Sequence, residues 1–233
     1  MELSIDTSTR TAGIALSKEG RAVGEMVWRA EYNHTTQLMP SIEYLMGQAG
    51  AKPKDLTAII VAIGPGSYSG LRVGISAAKG LAMALGIPMA GVNTLLLEAY
   101  PFLTAGLPVQ PLLDAGRSEI STTRFRWIAG AAGLETLEPA IMPIDALCDA
   151  IREPTLFCGE YLPAIRAVIS ERLGARAICP PDSALVRRPS CLAELGWQRL
   201  QRGEGEDPAS IQPVYLRPPS ITQPKSRASP QGG

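Results

Sequence analysis

The sequence predicts an α/β fold in two lobes, each built on a mixed sheet, and three observations carry that prediction. An apolar strand at Ala58 to Ile63 runs through a glycine-rich turn into a long helix of small residues ending at Leu85. Strand-like segments precede and follow that unit, so its first half reads βββαβαβ. A second strand and helix alternation begins after Pro108, in a 233-residue chain long enough for one large domain or two small ones.

Leu3 to Asp6 and Ala12 to Ser17 are short apolar runs separated by a Thr/Ser/Arg turn, and Lys18-Glu19-Gly20-Arg21 makes a hairpin into Ala22 to Arg29. These give three antiparallel strands. From His34 to Gly47 the residues Leu38, Ile42, Leu45 and Met46 recur at helical spacing, with Gly50 past the end and Pro40 close enough to the start to be tolerated. The strand Ala58 to Ile63 follows, then a helix over Leu71 to Leu85 with Ser69 as its N-cap, stopped by Gly86-Ile87-Pro88, and a strand at Pro88 to Val92.

The second lobe predicts strands at Val109 to Leu113 and Glu119 to Trp127 about an Asp114-Ala115-Gly116-Arg117 turn. A helix at Ile144 to Ile151, a strand at Thr155 to Cys158, a helix at Tyr161 to Leu173, a strand at Ala175 to Ile178 and a helix at Ser190 to Arg202 complete it. A degraded duplication of the first lobe fits this order. The expected organisation is residues 1–105 for the first lobe, 106–217 for the second and 218–233 for a polar tail with too little apolar surface to order itself.

Composition narrows the function. Twenty-two basic residues balance 22 acidic ones, and no basic run exceeds Arg187-Arg188, which argues against a chain that grips nucleic acid unaided. Four cysteines, Cys148, Cys158, Cys179 and Cys191, form no Cys-x-x-Cys pair and read as reduced and mostly buried. His34 is the one histidine, so no metal site is expected. Lys79 and Pro88 interrupt the apolar stretch from Val73 to Val92, which reads as a buried helix of a cytoplasmic protein and not a membrane span.

The run Gly64-Pro65-Gly66-Ser67-Tyr68-Ser69-Gly70-Leu71-Arg72-Val73-Gly74 admits two readings. Backbone N–H groups at a helix N-terminus can cradle phosphate, but this run lacks the Gly-Lys-[Ser/Thr] ending of a P-loop and the Gly-x-Gly-x-x-Gly spacing of a dinucleotide fold. On glycine content alone a tight turn that lets the next helix dock closely ranks first. The helix beyond it carries Gly70, Gly74, Ala77, Ala78 and Leu81 as a low apolar ridge, which packs either on the chain's own sheet or against a partner helix.

That glycine run, together with Ile5-Asp6-Thr7-Ser8-Thr9, resembles the TsaB family, also called YeaZ, of bacterial tRNA-modification proteins. The resemblance extends through His34-Thr35-Thr36-Gln37-Leu38-Met39-Pro40, Gly91-Val92-Asn93-Thr94-Leu95, Asp114-Ala115-Gly116-Arg117 and Pro213-Val214-Tyr215-Leu216-Arg217. It is dense before Leu97 and sparse from Phe125 to Arg202.

The resemblance implies the actin-like, ribonuclease H-like architecture that the βββαβαβ order also suggests. It also implies a paralogous partner, TsaD, and the ATPase TsaE, in a complex that transfers a threonylcarbamoyl group to the adenosine beside the anticodon of tRNAs reading codons that begin with A. In that superfamily the first hairpin faces nucleotide and metal, so Asp6, Thr7, Ser8 and Thr9, with Asp114 opposite, form a vestigial phosphate-type site. No adenosine motif follows Asp114, so no catalytic residue and no cofactor is expected on this chain, with ATP and metal held by partner subunits. Related TsaD enzymes carry a His-x-x-x-His metal pair where His34 stands alone.

The expected partner surface joins His34, Leu38, Ile42 and Leu45 on one helix to Gly70, Val73, Gly74, Ala77, Ala78 and Leu81 on the other. A homodimer through the same helices is expected when TsaD is absent, with tRNA met only through the complex. The rival reading is an enzyme acting alone, an ATP-dependent kinase or carbamoyl-type transferase using Asp6, Ser8, Asp114 and the glycine loop.

Overall fold

The strand β1 (Glu2–Asp6) lies between an antiparallel neighbour, β2 (Thr11–Lys18), and a parallel one, β4 (Ala58–Gly64), because the chain returns to β4 only after a helical crossover. The hairpin from β2 into β3 (Arg21–Arg29) turns on Glu19 and Gly20, both at positive φ as a two-residue loop between twisted strands requires. With β5 (Met89–Asn93) the first sheet has the order β3-β2-β1-β4-β5. The computed structural model describes residues 1–128 and 133–217, so the expected tail at 218–233 lies outside the described residues.

Both faces of this sheet are covered at its centre, along β1 and β4, while the edge strand β3 is largely exposed. The alternation along β4 sends Ile59 and Val61 to one side, where they meet α1 (His34–Gln48) and α2 (Tyr68–Leu85) through Leu38, Ile42, Leu71 and Ile75. Ile60 and Ala62 point to the other side, against Leu192 and Leu195 of α6 (Pro189–Gln201). A strand buried on both faces is apolar throughout, which is why Ala58 to Ile63 stands out in the sequence. Helix α2 ends where expected, at a left-handed Gly86.

The second sheet repeats the first. Its main path runs β10 (Ala140–Pro143), β7 (Glu119–Thr122), β6 (Val109–Gly116), β11 (Thr155–Cys158) and β12 (Ala177–Ile178), with the same pattern of antiparallel and parallel neighbours. Helices α4 (Ile144–Ala150) and α5 (Leu162–Leu173) stand where α1 and α2 stand in the first half. Leu147, Ile165 and Ile169 join Val109, Leu112 and Phe157 in a separate core.

Several expectations need correction. The strand expected at Glu119 to Trp127 is broken into β7 and β8 (Phe125–Ile128), although both keep one register with β6. The break falls opposite Pro111, which has no N–H to offer the ladder; the Thr122 hydroxyl donates to the Pro111 carbonyl at 2.7 Å there. β9 (Gly133–Thr136), β10 and the helix α3 (Thr94–Ala99) were not foreseen. The turn after β6 falls at Arg117 and Ser118, both at positive φ, with Gly116 still in the strand.

The chain also crosses between the halves. Helix α3 follows the first sheet and packs between the halves, against β4 and β5 as well as β6, and α6 follows the second sheet yet packs across the first. The Val214 N–H then donates to the Ile63 carbonyl at 2.7 Å, so residues 189–215 return to the lobe that the expected boundary at 105 would assign to residues 1–105 alone.

Candidate functional site

The turn between β1 and β2 carries Asp6, Thr7, Ser8 and Thr9, and all but Thr9 are buried. One carboxylate oxygen of Asp6 accepts the Ser8 N–H at 2.9 Å and the Ser8 hydroxyl at 2.6 Å. The other accepts the Nε–H of Arg187, a residue 181 positions away.

Arg187 is the centre of the site. Its side chain is 3% exposed. Nη1 donates to Glu98 Oε1 at 2.7 Å and lies 3.5 Å from Glu160 Oε2, while Nη2 donates to the Thr9 hydroxyl at 2.9 Å and the Thr11 carbonyl at 3.2 Å. With the bond to Asp6, each of the five guanidinium donors has an acceptor. Glu160 in turn accepts the hydroxyls of Thr9 and Thr11, the latter at 2.6 Å. Burial penalises the Arg187 charge, but Asp6, Glu98 and Glu160 outweigh it and hold the group above its ordinary value. Burial also pushes the Glu98 carboxyl up to about 6, against the opposing pull of Arg187. One guanidinium facing three carboxylates cannot compensate all of them fully.

The glycine loop closes over the same turn. The Ser67 N–H donates to the Ser8 carbonyl at 2.7 Å, and a Cβ at Gly66 would stand 2.1 Å from that oxygen. A Cβ at Gly70 would stand 2.2 Å from the Thr7 carbonyl oxygen, and one at Gly74 would stand 2.3 Å from Thr7 Oγ1. These glycines therefore serve close approach between α2 and β1. The N-cap of α2 is Ser67, which accepts the Gly70 N–H at 3.3 Å, and not the expected Ser69; helix α2 accordingly begins at Tyr68.

Asp114 does not join the cluster. It is exposed and accepts the Gly116 N–H at 2.8 Å, capping its own turn. The acid that the second half brings to Asp6 is Glu160, on the loop after β11. Gly159 makes that loop possible: its φ is 102°, and a Cβ there would lie 2.5 Å from the Leu112 carbonyl oxygen. Arg187, Glu98 and Glu160 carry no local signature, and sequence reasoning missed all three.

The residues expected on a partner surface divide in two. His34, Leu38, Ile42, Leu45, Gly70, Gly74 and Ala78 are buried within this chain, so their place as open surface is corrected: the ridge packs on the chain's own sheet. His34 Nε2 lies 2.8 Å from the Thr9 carbonyl, to which it donates, tying the start of α1 to the turn. Val73, Ala77 and Leu81 remain half-buried. The large apolar side chains that α1 and α2 expose are Met39, Tyr44, Tyr68 and Met83, the last at 66%, among exposed polar residues that include Glu43 and Arg72. Among the described residues no three His, Cys, Asp or Glu side chains are placed to hold a metal ion together, and no helix is long and apolar enough to cross a membrane.

Residues 28–219 match the family model described as TsaD, tRNA N6-adenosine threonylcarbamoyltransferase. The chain is 34% identical over 219 residues to the tRNA threonylcarbamoyladenosine biosynthesis protein TsaB of Bacillus subtilis, covering 92% of this chain and 93% of that protein. The solved structure of YeaZ from Pseudomonas aeruginosa superposes with a TM-score of 0.74 at 26% identity, over 92% of this chain and 99% of that one. The ethanolamine utilization protein EutJ of Carboxydothermus hydrogenoformans, at 12% identity and a TM-score of 0.52, shares the fold alone. Two repeated mixed sheets with exchanged helices, and likeness along nearly the whole length to TsaB and YeaZ, lead to one assignment: the chain has the two-lobe actin-like fold and belongs to the TsaB (YeaZ) family, whose members serve tRNA threonylcarbamoyladenosine biosynthesis.

Proposed function

We propose that this chain is a non-catalytic subunit that binds and activates TsaD for threonylcarbamoyl transfer to the adenosine beside the anticodon of tRNAs reading codons that begin with A. The observation that supports the non-catalytic part of the reading is the engagement of both Asp6 oxygens within the chain. Phosphoryl chemistry on this fold needs carboxylates free to hold metal and donors free to hold phosphate. Here both Asp6 oxygens are occupied by Ser8 and Arg187, and the glycine-loop donor Ser67 N–H is spent on the Ser8 carbonyl.

ATP and metal then belong to partner subunits, with TsaE joining the larger complex and tRNA met through that complex in the cytoplasm. The docking surface is the outward side of α1 and α2, where Met39, Tyr44, Tyr68 and Met83 are exposed beside half-buried Val73, Ala77 and Leu81. In the absence of TsaD the same side pairs two copies of this chain.

The test is co-purification with TsaD beside thermal unfolding. Met83→Arg places a charge on an exposed site, so it should leave the melting temperature unchanged while TsaD capture and reconstituted tRNA modification fall together. Normal capture by this variant and by Tyr44→Glu refutes the surface. ATP turnover by the isolated chain above ~1 s⁻¹, abolished in the shape-conserving Asp6→Asn, would refute the non-catalytic reading.

A further inference from the structure

The Arg187 cluster does more than neutralise Asp6, because its members come from both halves of the molecule. Asp6 ends β1, Thr11 opens β2 and Thr9 lies in the turn between them, all on the first sheet, and Glu160 stands on the loop leaving β11 of the second. Glu98 sits on α3, the helix that packs between the two sheets, against β4 and β5 on one side and β6 on the other. The Glu160 N–H also reaches Glu98 Oε1, at 3.4 Å.

Each end of this bridge is fixed within its own half. On the second sheet, Tyr161 N–H donates to the Leu112 carbonyl at 3.2 Å, and Gly159 lies too close to β6 to admit a side chain. On the first, the turn is held by His34 at 2.8 Å from the Thr9 carbonyl and by Ser67 N–H at 2.7 Å from the Ser8 carbonyl. Two rigid anchors joined by one short, fully hydrogen-bonded ion cluster have little freedom left between them. A planar guanidinium suits this role better than an ammonium, since its five donors diverge in fixed directions toward both halves at once.

The geometry points to Arg187 as an interlobe strut that holds the two sheets in one fixed relation. This inference goes beyond the proposed partner role and does not depend on it. A purely local role, steadying the β1–β2 turn, would leave the relation of the lobes unchanged when the cluster is broken. Motion of one lobe against the other is the distinguishing quantity.

Double electron–electron resonance on the full chain measures that motion. Nitroxides carried on p-acetylphenylalanine at Val23 of β3 and Val168 of α5, both exposed, leave the four cysteines native. The parent should give one narrow distance peak. Arg187→Met, and separately Glu160→Ala, should lose that single peak and shift toward longer distances. Glu160 is partly exposed, so its variant keeps the test available where removal of the guanidinium unfolds the chain. A narrow, unshifted peak in Glu160→Ala with cooperative unfolding retained overturns the strut, whatever Arg187→Met does.

Discussion

Gly70 and Gly80 lie on the same helix and offer a matched pair of identical substitutions with opposite expected signs. A Cβ added at Gly70 would stand 2.2 Å from the Thr7 carbonyl oxygen, where ordinary contact begins at 3.4 Å, so α2 and the β1–β2 turn must part by about 1 Å. The obstacle is backbone, which cannot swing aside as a side-chain end would. Overpacking of this kind costs about 1–3 kcal/mol. Displacement also strains the bond from the Thr7 hydroxyl to the Gly70 carbonyl, now 2.7 Å, worth roughly 1 kcal/mol when buried. Against this, alanine gains at most ~1 kcal/mol of helix propensity.

The net expectation for Gly70→Ala is a loss of about 2 kcal/mol, or roughly 4–8 °C in melting temperature for a chain of this size. At Gly80 nothing lies within 4 Å of the added Cβ, and the residue is exposed. Only propensity remains, so Gly80→Ala should gain about 1 kcal/mol and melt roughly 2–4 °C higher. Thermal unfolding followed by circular dichroism at 222 nm (a wavelength of about the usual helix minimum) reads both. Should Gly70→Ala melt at or above the parent temperature, the close docking of α2 on β1 is wrong and the glycine ridge faces outward after all.

Two further expectations concern the same region. Ser67→Ala removes the N-cap of α2 and should cost about 1 kcal/mol, whereas Ser69→Ala should stay within ~0.5 kcal/mol; equal losses in chemical denaturation would refute the assignment of the cap. Glu98 holds its proton more tightly when folded, at about 6 against an ordinary 4.5, so its contribution to stability is full below 4.5 and is lost as pH rises through about 6. Glu98→Gln cannot ionise and should lose that decline, about 2 kcal/mol across the window by the usual conversion; urea unfolding of parent and variant at matched pH would refute this by showing parallel curves.

Much of the fold is written in local sequence because its causes are local. Apolar alternation and glycine punctuation mark β1 to β3, and the all-apolar β4 announces a strand covered on both faces. The stop at Gly86 follows from one residue's tolerance of positive φ. Even the broken strand opposite Pro111 was read as one strand, since a missing donor on a neighbour 12 residues away leaves no mark on Thr123 itself. Helix α3 escaped because its six residues are too short to display a helical period.

The site divides along the same line. Asp6, the Thr/Ser turn and the glycine loop were legible as a unit, because turn chemistry and backbone permissiveness belong to residue type. That Gly66, Gly70 and Gly74 admit Thr7 and Ser8 at close range was decided by what the fold brings within 2–3 Å of their missing side chains. Arg187 looked like half of a short basic run. Its partners lie 181, 89 and 27 residues away, and a charge reveals nothing in sequence about which opposite charge will share its burial, since Coulomb attraction depends on distance in space and the chain's order sets none.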